Sequence, residues 1–170
     1  MLMIDRAPAA VPVRHTAAAS APSAEPIPIF VPARILIPAL AVSAPIVPVG
    51  TEADGSMGTP KDGYDVAWWQ GVRVGAGNAL FAGHHDWNGD AGSFYSLGDL
   101  KPGDQIIVEG DGAAVRFRVS WVKLVHGGID ATDILGPEQR PVITLITCGG
   151  PFDTSIGHHL DRYVVRGVIT

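Results

Sequence analysis

The chain has 170 residues with a formal net charge of −5, 21 glycines and 14 prolines. That length suffices for one domain with a substantial core. The negative charge and the lack of any Lys/Arg cluster argue against a nucleic-acid partner. A single cysteine, Cys148, excludes an internal disulfide.

Residues 1–30 are rich in Ala, Pro and Ser without apolar periodicity, which predicts a flexible or semi-extended linker ahead of a folded domain at 31–170. The longest apolar stretch, Ile35–Val49, is interrupted by Pro38, Pro45 and Pro48. It is too short for about 20 residues of bilayer core, so two short strands around a proline turn are expected. Further strands are predicted at Asn78–Ala82, Gln105–Glu109, Ala114–Val125, Pro141–Thr147 and Arg162–Ile169, after a pair at Arg34–Ile37 and Pro45–Val49. Gly110-Asp111-Gly112 between two alternating runs marks a hairpin. Short helical turns are expected at Asp65–Gln70, carrying an aromatic cluster of Tyr64, Trp68 and Trp69, and at Ser93–Leu97. Many short strands with almost no helix predict an all-β closed barrel or a sandwich.

The chemistry concentrates at two places. On an extended Pro141–Cys148 strand, Val142, Thr144, Ile146 and Cys148 share one face, with Ile143, Leu145 and Thr147 on the other. Gly149-Gly150-Pro151 reads as the end of that strand. If Arg162 opens the next antiparallel strand, cysteine and arginine face each other at the mouth of the loop 149–161. A guanidinium there favours the thiolate and offers donors to an oxyanion. The alternative for a lone cysteine is an inert core residue. Arg166 lies about 13 Å further along the strand and reads as a rim charge.

The second place is Asn78–Phe94, where an apolar strand runs into Gly83-His84-His85-Asp86 and a polar loop. His84, His85, Asp86, His158, His159 and Asp161 include metal-ligating types. No His-x-His, His-x-x-x-His or Cys-x-x-Cys spacing is present, and adjacent histidines on extended chain point apart, so no metal site is assigned. His15, His85, His126, His158 and His159 read as solvated loop residues. In the connection Gly127–Arg140, the carboxylates Asp130, Asp133 and Glu138 lack the spacing of a calcium loop.

Thr144-Leu145-Ile146-Thr147-Cys148, Gly83-His84 and Arg162-Tyr-Val-Val resemble, in type and order, the signatures of the sortases, cysteine transpeptidases of bacterial surfaces. The similarity spans residues 34–170 and looks most like the actinobacterial class E/F branch. It implies a β-barrel of about eight strands, with Cys148 as nucleophile, Arg162 as oxyanion stabiliser, His84 as acid/base, and no cofactor. It further implies that Thr147, Ile134 and Leu135 contact substrate. The implied partners are a Leu-Pro-x-Thr-Gly-like sorting signal and an amine acceptor such as a peptidoglycan precursor or a pilin lysine. The implied location is the outer face of the membrane, with an anchor not present in this chain. A metal-dependent hydrolase using the histidines and a non-enzymatic barrel with a buried cysteine are the competing readings.

Overall fold

The structure, a computed structural model, describes residues 26–126 and 134–170. The reading of residues 1–25 as a linker therefore lies outside the described residues. The chain order is β1 (Arg34–Ile37), β2 (Val42–Val49), β3 (Val66–Trp69), β4 (Asn78–Gly83), β5 (Asp86–Trp87), β6 (Asp90–Ala91), β7 (Gln105–Gly110), β8 (Ala113–His126), β9 (Val142–Asp153) and β10 (His158–Ile169). Eight of these close a barrel in the order β1-β2-β3-β4-β9-β10-β8-β7, so the expected barrel is the architecture found. β2 with β3 and β4 with β9 are parallel, and the other barrel pairs are antiparallel. Closure leaves no free sheet edge among the barrel strands.

Local sequence explains several elements directly. Pro38 starts a 3-10 turn after β1, and Ala41 takes a left-handed conformation to reverse the chain into β2. Asp111 and Gly112, both at positive φ, form the two-residue turn between β7 and β8 that suits the twist of a hairpin. A second 3-10 turn falls at Leu97–Asp99, slightly later than expected.

Two expectations fail. Residues 66–69 form strand β3, not a helical turn, because the run Val66-Ala67-Trp68 is buried between β2 and β4. Trp68 sits in the core and its indole N–H donates to the Val72 carbonyl at 2.8 Å, while Tyr64 is exposed and takes no part. Gly149-Gly150-Pro151 also does not end the strand before Asp153. Gly150, at positive φ, sits in a bulge where Gly150 and Pro151 oppose Leu160 alone, and the ladder resumes at Phe152–His159.

The core is apolar and central. Ile35, Ile37, Phe81, Phe117, Ile143, Leu145 and Val165 are fully buried within it. On β9, Ile143 and Leu145 point into this core while Ile146 and Cys148 are only half-buried, so the outer face of β9 is the face left for chemistry.

Candidate active site

Arg162 is the direct cross-strand partner of Cys148 in the β9/β10 ladder. Opposite residues in an antiparallel pair project to the same face with Cβ atoms about 5 Å apart. The strand beyond Cys148 is longer than its sequence suggested, yet the pairing inferred from strand order is the one observed. The Arg162 guanidinium donates through one terminal nitrogen to the His159 carbonyl at 3.0 Å and the Asp161 carbonyl at 2.7 Å. Those bonds fix the fork, and among the described residues its other N–H groups have no partner and can turn to a bound oxygen. Among the described residues it has no carboxylate partner.

His84 follows β4 immediately. Gly83, the last residue of that strand, has no room for a side chain, since a Cβ there would lie 2.6 Å from Ser93 Oγ and 2.7 Å from the Phe94 ring. The Gly83 carbonyl accepts from Thr147 Oγ1 at 2.8 Å, which ties the strand end carrying His84 to the residue before Cys148. His84 Nε2 lies 2.9 Å from the Pro60 carbonyl, which can only accept, so that nitrogen carries the hydrogen. The ring also packs on Trp87 with centroids 4.4 Å apart. Nδ1 is thereby the nitrogen left for proton transfer.

One pocket of 340 Å³ is lined by Cys148, Arg162 and His84 together with Thr147, Ile146, Ala82 and Gly83. Its remaining wall is Ser56, Met57, Thr59 and Pro60, from the segment between β2 and β3. Sequence reasoning missed that wall. Its only signal was a connection, residues 50–65, longer than most in a compact domain. Gly58 N–H to the Gly50 carbonyl at 3.0 Å and Glu52 N–H to the Ser56 carbonyl at 2.8 Å fold it into a small hairpin of its own.

The other expected residues are placed differently. Thr147 lines the pocket but is 2 % exposed, with its hydroxyl committed to Gly83. Ile134 and Leu135 do not line this pocket. Leu135 lines a separate 250 Å³ cavity with Trp69, Val72 and Asn78, at the other end of β4 from Ala82. The Ile134 carbonyl accepts from Asn78 Nδ2 at 3.1 Å and from Arg166. Arg166 is not a rim charge: it is 6 % exposed and donates to Glu138 Oε1 at 2.7 Å. The segment that folds over it has no signature in the local sequence pattern. Glu138 is thus engaged by an arginine, while Asp130 and Asp133 lie outside the described residues.

The histidines separate as extended geometry requires. His84 faces the pocket, whereas His85 turns away to stack on Tyr95 at 4.7 Å and on His159 at 5.0 Å. His158 and His159 belong to β10 and are not loop residues. His159 Nδ1 donates to the Gly150 carbonyl at 2.9 Å and its Nε2 faces Asp86 Oδ1 at 3.1 Å. The hydrogen bond from His159 is the main reason the Asp86 carboxyl is held below its ordinary 3.8. Partial burial opposes charge on His159, but the Asp86 and Gly150 acceptors outweigh it and raise the imidazole above 6.5. His126 pairs with the buried Asp161 at 3.0 Å. His15 lies outside the described residues.

A strand-borne cysteine facing an arginine, with a histidine entering from a neighbouring strand end, is the layout of a cysteine acyl-transfer enzyme built on a barrel. Comparison with known proteins narrows that class. The sortase domain matches residues 35–170, and the chain belongs to the sortase family, the cysteine transpeptidases of bacterial surfaces. Sortase C-1 from Actinomyces oris is 25% identical with a TM-score of 0.62, over 81% of this chain and 73% of that one. Sortase A from Corynebacterium diphtheriae is 24% identical with a TM-score of 0.64, over 84% of this chain and 61% of that one. Sortase A from Listeria monocytogenes is 22% identical with a TM-score of 0.64, over 83% of this chain and 88% of that one. The last two likenesses concern the fold. A comparison with curated proteins found no match.

Proposed function

We propose that this sortase cleaves a Leu-Pro-x-Thr-Gly-like sorting signal between Thr and Gly and transfers the acyl group to an amine. The Cys148 thiolate adds to the threonine carbonyl carbon, and the free N–H groups of Arg162 receive the oxyanion. His84, as imidazolium, gives its Nδ1 proton to the departing glycine nitrogen as the C–N bond breaks, leaving a thioester. An incoming amine then attacks, His84 takes its proton, and the thiolate leaves. Water attacking the same thioester gives slow hydrolysis as a side reaction. The amine is of the kind carried by a peptidoglycan precursor or a pilin lysine. The observation that carries this reading is the register pair Arg162–Cys148 with His84 lining the same pocket.

In this reading the signal meets the chain at the Cys148 pocket, whose wall includes Ala82 and Ile146. The catalytic domain expected at residues 31–170 extends back to Phe30, which is buried in its core, and the residues before it form a juxtamembrane linker. The enzyme works on the extracellular face of the membrane. No helix among the described residues is long and apolar enough to cross a membrane.

The test is a panel of sorting-signal peptides, with the acyl-enzyme detected by intact mass. Wild type should gain the mass of the peptide up to threonine, and glycine-led product should be released. Cys148→Ala should lose thioester, cleavage and transfer while staying folded, since truncating a half-buried side chain removes only about 1 kcal/mol of burial. Activity in a folded Cys148→Ala protein would overturn the proposal.

A further inference from the structure

His85, Asp86 and His159 bring two imidazole nitrogens and a carboxylate oxygen within 4.8 Å of one another, outside the pocket that holds Cys148. Two elements remote in sequence supply them: Asp86 opens β5 just after His85, and His159 lies on β10. The sequence spacing concealed this, because no single segment carries the set.

Both nitrogens of His159 face groups that only accept. Nδ1 is 2.9 Å from the Gly150 carbonyl and Nε2 is 3.1 Å from Asp86 Oδ1. Nδ1 must therefore carry hydrogen, and positive charge must lie between Nε2 and the carboxylate. A proton can supply it, and so can a metal ion. His85 Nδ1 approaches the same carboxylate oxygen at 3.2 Å. Bonds of about 2.0–2.1 Å in tetrahedral geometry hold ligand atoms about 3.4 Å apart. The two histidine–carboxylate separations are close to that already, and all three ligand atoms lie within 4.8 Å of one another.

The surroundings match those of a metal-binding histidine. A ligating imidazole typically donates its second N–H to a carbonyl, as His159 does to Gly150. Tyr95 packs on His85 and Phe152 on His159, which limits how far either ring can swing. Asp86, Tyr95 and Phe152 also line an open 570 Å³ pocket that gives solvent access to a fourth position.

We propose that His85, Asp86 and His159 bind a divalent transition ion of the Zn²⁺ type, with water completing the coordination. Imidazole and carboxylate ligands suit that ion class, whereas calcium and magnesium prefer all-oxygen sets. The ion joins the strand end that carries His84 to the hairpin that carries Arg162, whose guanidinium already holds the His159 carbonyl. It acts as a clasp across the rim of the site and takes no part in the acyl transfer. The proposal does not rest on the substrate reading.

The experiment is calorimetric titration of the full chain with Zn²⁺ at neutral pH, with Co²⁺ absorption as a second readout. One equivalent should bind. Binding should persist in Cys148→Ala and His15→Ala, and the Co²⁺ complex should lack a thiolate charge-transfer band. His159→Ala and Asp86→Asn should each weaken binding by about 100-fold or more, a loss exceeding that of a residue that only hydrogen-bonds to a ligand. Asp86→Asn keeps shape at a half-exposed position and guards against misfolding of the histidine variant. Absence of binding, retention in both ligand variants, or loss in Cys148→Ala would overturn the assignment.

Discussion

Direct pairing of Arg162 with Cys148 makes the shape of the guanidinium matter as much as its charge. One terminal nitrogen is spent on two backbone carbonyls, so the fork is oriented before any substrate arrives. A lysine keeps the charge but can hold those carbonyls or an oxyanion, not both in one geometry. Arg162→Lys should therefore lose about 10²–10³ in kcat/KM, the scale of a lost oxyanion donor. Steady-state transpeptidation with an unchanged thermal midpoint checks it, and near-wild-type turnover would remove Arg162 from the mechanism. The histidine pair offers a sharper contrast, since His84 lines the Cys148 pocket and His85 faces away. His84→Ala should lose about 10²–10⁴-fold, the usual range for general acid–base catalysis. His85→Ala, assayed in metal-free buffer, should stay within about severalfold of wild type, and equal losses would mean that the two rings act jointly.

Strands β9 and β10 show how one element serves both architecture and chemistry. Toward the far end of β10 from the cysteine, Arg166 ties the barrel wall to residues 134–138 through Glu138 and the Ile134 carbonyl. Among the described residues its Nε has no partner, and the two terminal nitrogens carry the interaction. Arg166→Lys cannot reach both acceptors and should lower stability by about 1–3 kcal/mol, the cost of a buried group left unpaired. Urea unfolding measures this, and a midpoint equal to wild type would show that the segment holds without the fork. Alternation on Val142–Cys148 made the faces of β9 legible from sequence, and Gly110-Asp111-Gly112 made the β7–β8 turn legible. Gly149-Gly150-Pro151 misled because a glycine at positive φ can end a strand or bulge it, and only the partner strand decides which. The run at 66–69 misled for a related reason: four apolar residues have no period long enough to separate strand from helix. The burial of Arg166, the Met57–Pro60 wall and the meeting of Asp86 with His159 are contacts between distant segments, which local pattern does not encode.

At the scale of the whole molecule, the barrel puts its apolar core and the cysteine nucleophile on opposite faces of β9. Consecutive residues of β9 make the separation testable. Leu145 is fully buried in the core, packed among side chains from around the barrel, whereas Ile146 lines the pocket with Cys148. Leu145→Ala opens a cavity where closed strands leave little room to collapse, which costs about 2–5 kcal/mol. Its kcat/KM per folded molecule should nevertheless remain near wild type, because the Arg162–Cys148 register is set by backbone ladders that the truncation leaves intact. Ile146→Ala should do the reverse, with a smaller loss of stability and a raised KM for the sorting-signal peptide, since it removes apolar surface from the pocket wall. Measuring unfolding midpoints and peptide kinetics on both variants decides the matter. Catalytic loss in Leu145→Ala that persists after correction for the folded fraction would mean that the core tunes the site geometry. The two faces would then be one mechanical unit, and the barrel would be more than a rigid scaffold for its outer wall.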